Sequence, residues 1–230
     1  MSIAENIAAI RAKMAAAAIE AGRDPGTILL VGASKMNDAA ACRAAIAAGI
    51  DALGENRVQE MTAKLADSAY TGAPLHFIGH LQRNKVRQVV GKVDLIQSVG
   101  SLALLAEIEK EAARQGLVQD ILLEVNIGLE AAKSGFAPDG VEEAAQAALK
   151  CPHVRVRGLM TIPPADATEA ENRGYFDKVR ALYVDINDKL FHNKLEYLSM
   201  GMSGDYEEAI RAGATMVRVG SAIFGARHYT

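Results

Sequence analysis

TILLVGA (27–33), followed at once by Ser34 and Lys35, is a short apolar run set off on its N-terminal side by Pro25 and Gly26. A run this short, placed ahead of the Ala-rich segment 38–48, reads as a strand that leads into a helix. The same unit recurs along the chain. Apolar runs at 52–54, 75–79, 94–98, 120–127, 154–160, 195–199 and 215–220 bring the strand candidates to eight. Helical stretches lie between them, among them 84–90, 102–114, 141–149, 169–189 and 206–212.

Strands that alternate with helices build a parallel sheet with right-handed crossovers. Eight such repeats predict a closed (β/α)8 barrel, an α/β fold of the TIM-barrel type, ahead of an open doubly wound sheet. Upstream of the first strand, Ile3, Ile7, Ile10 and Met14 fall at spacings of three and four. That spacing predicts one extra N-terminal amphipathic helix ending near Gly22. No Pro- or Ser-rich linker interrupts the pattern, so residues 1–230 are read as a single domain. Pro163 and Pro164 bar a helix from 162–167.

Composition narrows the function classes. Half of the residues are hydrophobic and 23% are charged, as in an ordinary globular chain. A formal net charge of −3 gives no general pull toward nucleic acid or an anionic membrane. The locally basic stretch HLQRNKVRQ (80–88) lacks interleaved aromatics and reads as a solvated helix face. Cys42 and Cys151 are too far apart for a CxxC metal site and too few for a disulfide scaffold. Neither a secretory signal nor a membrane span is recognisable, and a cytoplasmic location is expected. His76 and His80 lack partners at a metal-binding spacing, so no metal is expected.

In barrels of this kind the chemistry sits at the C-terminal ends of the strands. The first of those ends carries Lys35. A lysine amine attacks an aldehyde only when neutral, which partial desolvation or a neighbouring cation favours. The plain alternative is a surface lysine that begins a loop. The last two strand ends carry MGMSG (200–204) and VGSAIFG (219–225), two Gly/Ser elbows with Ser203, Gly220 and Ser221. Loops after strands seven and eight are the usual phosphate site of barrel enzymes, although glycines there also serve simple tight turns. Arg218 lies between the elbows and offers either a salt bridge or a donor to an acceptor such as a pyridine nitrogen. Lysine, phosphate seat and arginine together outline a phosphorylated aldehyde cofactor.

On these residues the chain resembles the pyridoxal phosphate homeostasis family, known as YggS/PROSC, which is related to the barrel domain of alanine racemase. The resemblance rests on ASK (33–35), GENRVQE (54–60), HFIGHLQRNK (76–85), VNIGLEAAKSG (125–135), RGLM (157–160), SMGMSGDYEEAI (199–210) and VRVGSAIFGAR (217–227), in family order. It implies a fold-type III-like barrel that holds pyridoxal 5′-phosphate (PLP) as a Schiff base on Lys35. It also implies phosphate contacts at Ser203, Gly220 and Ser221, the pyridine nitrogen at Arg218, and ring neighbours at Asn56 and Met200. One departure is visible: QSVGS (97–101) stands where family members often read closer to HSVDS.

Arginine can only donate hydrogen bonds, so opposite the ring nitrogen it favours the unprotonated pyridine and weakens the ring as an electron sink. A two-base racemase needs a second proton carrier, which the related racemases take from a separate domain. The chain stops soon after its last strand, so no such domain is expected here. The leading expectation is a monomeric PLP binder that serves vitamin B6 homeostasis, exchanging cofactor with PLP-dependent apo-enzymes, without robust catalysis of its own. The alternatives are a small PLP-dependent amino-acid racemase, with Tyr70, Tyr206 or Tyr229 as the second proton carrier, and a PLP-free aldolase in which Lys35 attacks a sugar phosphate.

Overall fold

Ser2 opens the first helix, α1 (Ile3–Glu20). Its hydroxyl accepts the Glu5 amide while the Glu5 carboxylate takes the Ser2 amide, so both orphan donors are satisfied. The helix buries Ile7, Ile10, Met14, Ala17 and Ala18, the expected stripe carried one turn further. In this computed structural model residues 1–225 are described.

From there strand and helix alternate. In order come β1 (Leu29–Ala33), α2 (Ala39–Ala47), β2 (Ala52–Glu55), α3 (Val58–Ala66), β3 (Leu75–Phe77), β4 (Leu95–Val99) and α4 (Leu102–Gln115). Then follow β5 (Gln119–Val125), α5 (Val141–Ala148), β6 (Val154–Thr161), α6 (Glu169–Phe191), β7 (Tyr197–Ser199), α7 (Tyr206–Arg211), β8 (Met216–Val219) and α8 (Ser221–Phe224). The eight strands form a closed parallel barrel in sequence order, with β1 pairing to β8. Strands β2, β3, β4 and β8 are buried at every position, which is why they read as apolar runs and not as alternating ones.

The helix expected over 84–90 is instead a 3-10 helix, Arg83–Gln88. Its bonds run three residues back, from Lys85 N to Gln82 O and from Val89 N to Val86 O, both at 2.9 Å. Gln82 gives it no capping bond, and Gly91 at φ 72° ends the segment soon after, so the stretch is too short for cooperative α-helix. The segment 162–167 holds neither helix nor strand, as its two prolines require. Among the described residues, no helix is long and apolar enough to cross a membrane.

The chain divides into two compact units: Met1–His76 with the described residues from Met200 onward, and Phe77–Ser199. In the first unit Val31 of β1 lies opposite Ala52 of β2 on one side and Arg218 of β8 on the other. The strand that bears the arginine therefore runs directly alongside the strand that leads to Lys35.

In the second unit, β5 and β6 form the longest ladder, and it carries a bulge. Ile121 faces Val156 but Leu122 faces Gly158, so Arg157 is the extra residue. Gly158 has φ 155°, and a Cβ there would lie 1.7 Å from the Tyr197 carbonyl oxygen, so only glycine fits. Arg157 binds Asp120 and Glu196 and lies over the Tyr197 ring. Gln97, in the departing QSVGS motif, is fully buried and accepts the Ser199 hydroxyl at 2.7 Å.

Candidate functional site

Strand β1 ends at Ala33 and the chain turns through residues 34–37, closed by Asn37 N donating to Ser34 O at 3.1 Å. Met36, third in the turn, has φ 62°, a left-handed conformation that costs a non-glycine residue about 1–2 kcal/mol. Lys35, half-buried, occupies the position before it.

The neighbouring strand β8 supplies Arg218, only 3% exposed. Its amide donates to Gly201 O at 3.0 Å, which ties β8 to the loop after β7. Gly201 has φ 93°, and a Cβ there would press to 2.6 Å from the Ala209 Cβ, so the loop needs glycine at this point. Two residues on, the Ser203 Oγ accepts the Gly220 amide at 3.2 Å. The loops after β7 and β8 are thus joined by a hydrogen bond through the serine of one elbow and the glycine of the other.

These segments converge on one cavity of about 280 Å³. Lys35, Ser203, Arg218, Gly220 and Ser221 all line it, so five of the seven residues singled out in the sequence meet in one place. Among the described residues, its lining contains two cationic side chains and two hydroxyls but no carboxylate. That donor set suits a doubly charged phosphate ester and opposes a cationic ligand.

Asn56 and Met200 are placed differently. Neither is among the residues lining this cavity. Asn56 follows β2 and is half-buried, with its Oδ1 shielded from solvent and without a protein partner. Met200 is fully buried directly after β7, and its amide donates to Met216 O at 3.1 Å. The cavity gains Asn37, Met202 and Phe224, which sequence reasoning did not single out. Met202 and Phe224 lie inside the two Gly/Ser elbows, a signal that could have found them. Asn37 carries no such signal.

Buried polar chemistry surrounds the residue before the lysine. Ser34 is fully buried, and its hydroxyl donates to Glu55 Oε1 at 2.5 Å. The same fully buried carboxylate oxygen accepts Lys64 Nζ at 2.6 Å and the Tyr70 hydroxyl at 3.0 Å. Glu55 Oε2 has no protein partner. Burial, and then the Glu55 charge, push the Tyr70 phenol well above its ordinary range, so it stays protonated and donates. Burial likewise raises the Cys42 thiol. Tyr70 and Tyr206 are both buried, and neither is among the residues lining the cavity. Tyr229, the third candidate proton carrier, lies outside the described residues.

Comparison with known proteins gives a consistent picture. Residues 2–228 match the family described as alanine racemase, N-terminal domain. A protein of Pseudomonas aeruginosa named pyridoxal phosphate homeostasis protein is 42% identical over 228 residues, which cover 99% of this chain and 97% of that one. An Aquifex aeolicus protein of the same name is 40% identical over 229 residues, spanning 100% of both chains. The structure of PipY from Synechococcus elongatus with PLP bound superposes with a TM-score of 0.84 at 34% identity, over 97% of this chain and 100% of that one.

Proposed function

The chain belongs to the alanine racemase N-terminal domain family, and from that premise we propose that it binds PLP in the β1/β8 cavity and serves vitamin B6 homeostasis without robust catalysis of its own. The observation that carries this reading is the convergence of Lys35, Arg218, Ser203 and Ser221 on a single cavity whose lining, among the described residues, lacks carboxylates. The homeostasis names of full-length relatives and the PLP bound to PipY support it.

When bound, PLP supplies an aldehyde that joins a primary amine and a pyridine ring that withdraws electrons. Lys35 Nζ is the amine assigned to the aldehyde. Ser203, with its Oγ already accepting from Gly220, keeps its own proton to donate to a phosphate oxygen, and Ser221 offers a second hydroxyl. Arg218 is assigned to the ring nitrogen. As a guanidinium it stays protonated and donates only, so it leaves that nitrogen without a proton and restrains carbanion chemistry.

The lining also bears on catalysis. Among the described residues that line this cavity there is one lysine and no histidine, tyrosine or carboxylate, whereas racemisation through two bases needs a second proton carrier. We place the protein in the cytoplasm, where its two free cysteines stay reduced, as a store that passes cofactor to PLP-dependent apo-enzymes.

The test is direct. Purified protein mixed with PLP develops a visible absorption band, and borohydride reduction followed by peptide mapping places the adduct on Lys35. No band, or an adduct confined to other lysines, defeats the proposal. Racemisation of a panel of L-amino acids far above the rate of free PLP would displace the non-catalytic part of it.

A further inference from the structure

We propose that α3 clamps the Lys35 turn from both sides, with Glu60 and Lys64 acting as positioning residues that hold the amine in its binding-competent place. The inference rests on the reading of Lys35 as the PLP lysine and adds two residues to that site.

Three backbone groups of the turn around Lys35 are held by side chains. Lys64 Nζ donates to Ser34 O at 2.7 Å. Asn37 Nδ2 donates to the carbonyl of Lys35 itself at 3.0 Å. Glu60 Oε2 accepts the Met36 amide at 2.8 Å, and Asn37 N closes the turn onto Ser34 O. Glu60 and Lys64 stand four residues apart on α3, so they share one helix face and reach the turn together. Lys64 is itself fixed, because its ammonium also pairs with the fully buried Glu55.

Two features separate this arrangement from ordinary stabilisation. The turn contains a non-glycine residue in a left-handed conformation, which persists only where its surroundings enforce it. A buried ion pair, moreover, is a poor source of stability, since well-packed apolar side chains commonly do as well in its place. What the pair adds is direction: Glu55 aims Lys64 Nζ at the one carbonyl that immediately precedes Lys35.

The experiment uses two ligands that share ring and phosphate. PLP carries the aldehyde that needs Lys35. Pyridoxine 5′-phosphate has a hydroxymethyl group there and needs only the ring and phosphate contacts. In Lys64→Met and Glu60→Ala, the Kd for PLP rises about tenfold or more and the borohydride-trapped adduct forms more slowly. The Kd for pyridoxine 5′-phosphate stays within about twofold. Glu60→Gln, which keeps an acceptor oxygen, recovers affinity relative to Glu60→Ala. Glu60 is half-buried at the helix surface, so its variants report even if Lys64→Met fails to fold. Unchanged PLP affinity in both variants, or equal losses for both ligands, overturns the clamp. A wild-type protein that binds neither ligand, or a Lys35→Ala protein that binds PLP as tightly as wild type, instead removes the underlying reading and the clamp with it.

Discussion

Replacing Ser203 with alanine tests the phosphate seat at its most constrained point. The hydroxyl accepts the Gly220 amide at 3.2 Å, so its proton is the part left for an anion. A hydrogen bond to a charged acceptor contributes about 1.5–3 kcal/mol. Losing it should raise the Kd for PLP roughly 10- to 150-fold. The stranded Gly220 amide adds little, because that residue is half-exposed and water can take the place of the serine. The assay is titration of cofactor-free protein followed by visible absorbance, with PLP and in parallel with pyridoxal, which has the same aldehyde and no phosphate. Ser203→Ala should weaken PLP by the stated factor and leave pyridoxal where it was, and Ser221→Ala should behave alike. If pyridoxal loses as much as PLP, the serine shapes the cavity in general and the phosphate assignment fails. If neither ligand is affected, the anion sits elsewhere.

Three further outcomes follow from packing and charge. Lys64→Met strands a fully buried carboxylate and should cost about 3–5 kcal/mol, a fall in Tm of roughly 6–20 °C, while Glu55→Gln/Lys64→Met recovers at least about 1 kcal/mol of that loss. Strict additivity of the two single changes in thermal unfolding would disprove the coupling. Gly158→Ala drives a methyl group into the Tyr197 carbonyl and should cost at least about 3 kcal/mol, so a urea midpoint equal to wild type would contradict the bulge geometry. The Tyr70 phenol is raised in the folded state, so its contribution is complete below about pH 10, where the unfolded tyrosine begins to ionise, and is lost as the pH climbs further. Tyr70→Phe should flatten the alkaline loss of stability by up to about 1.4 kcal/mol per pH unit, and identical slopes for the two proteins between about pH 10 and 12 would refute this.

Much of the architecture was legible because a covered parallel strand leaves a continuous apolar signature. All eight runs became strands, trimmed at ends such as 78–79 and 195–196, where the chain leaves the sheet. The 84–90 stretch misled because a 3-10 turn and a short α-helix share nearly the same side-chain pattern. Lys35, Arg218 and the two Gly/Ser elbows could be found from order alone, since a parallel barrel brings all its strand ends to one edge. Glu60 and Lys64 could not. In the sequence Lys64 is an ordinary cation on an amphipathic helix, and only the packing of α3 buries it against Glu55. Asn37 was silent for the same reason, being defined by a turn whose left-handed Met36 no local rule anticipates.

The adjacency of β1 and β8 has a consequence for biosynthesis. Lys35, the proposed PLP lysine, is translated well before Ser203 and Ser221, proposed for the phosphate, and Arg218, proposed for the ring nitrogen. On that proposed assignment a nascent polypeptide would not retain the vitamin until β8 has zipped against β1. Ligand capture so becomes a checkpoint on completed folding: at a free concentration one hundred times Kd it would favour the finished molecule by about 2.7 kcal/mol, a reward withheld from every truncated product.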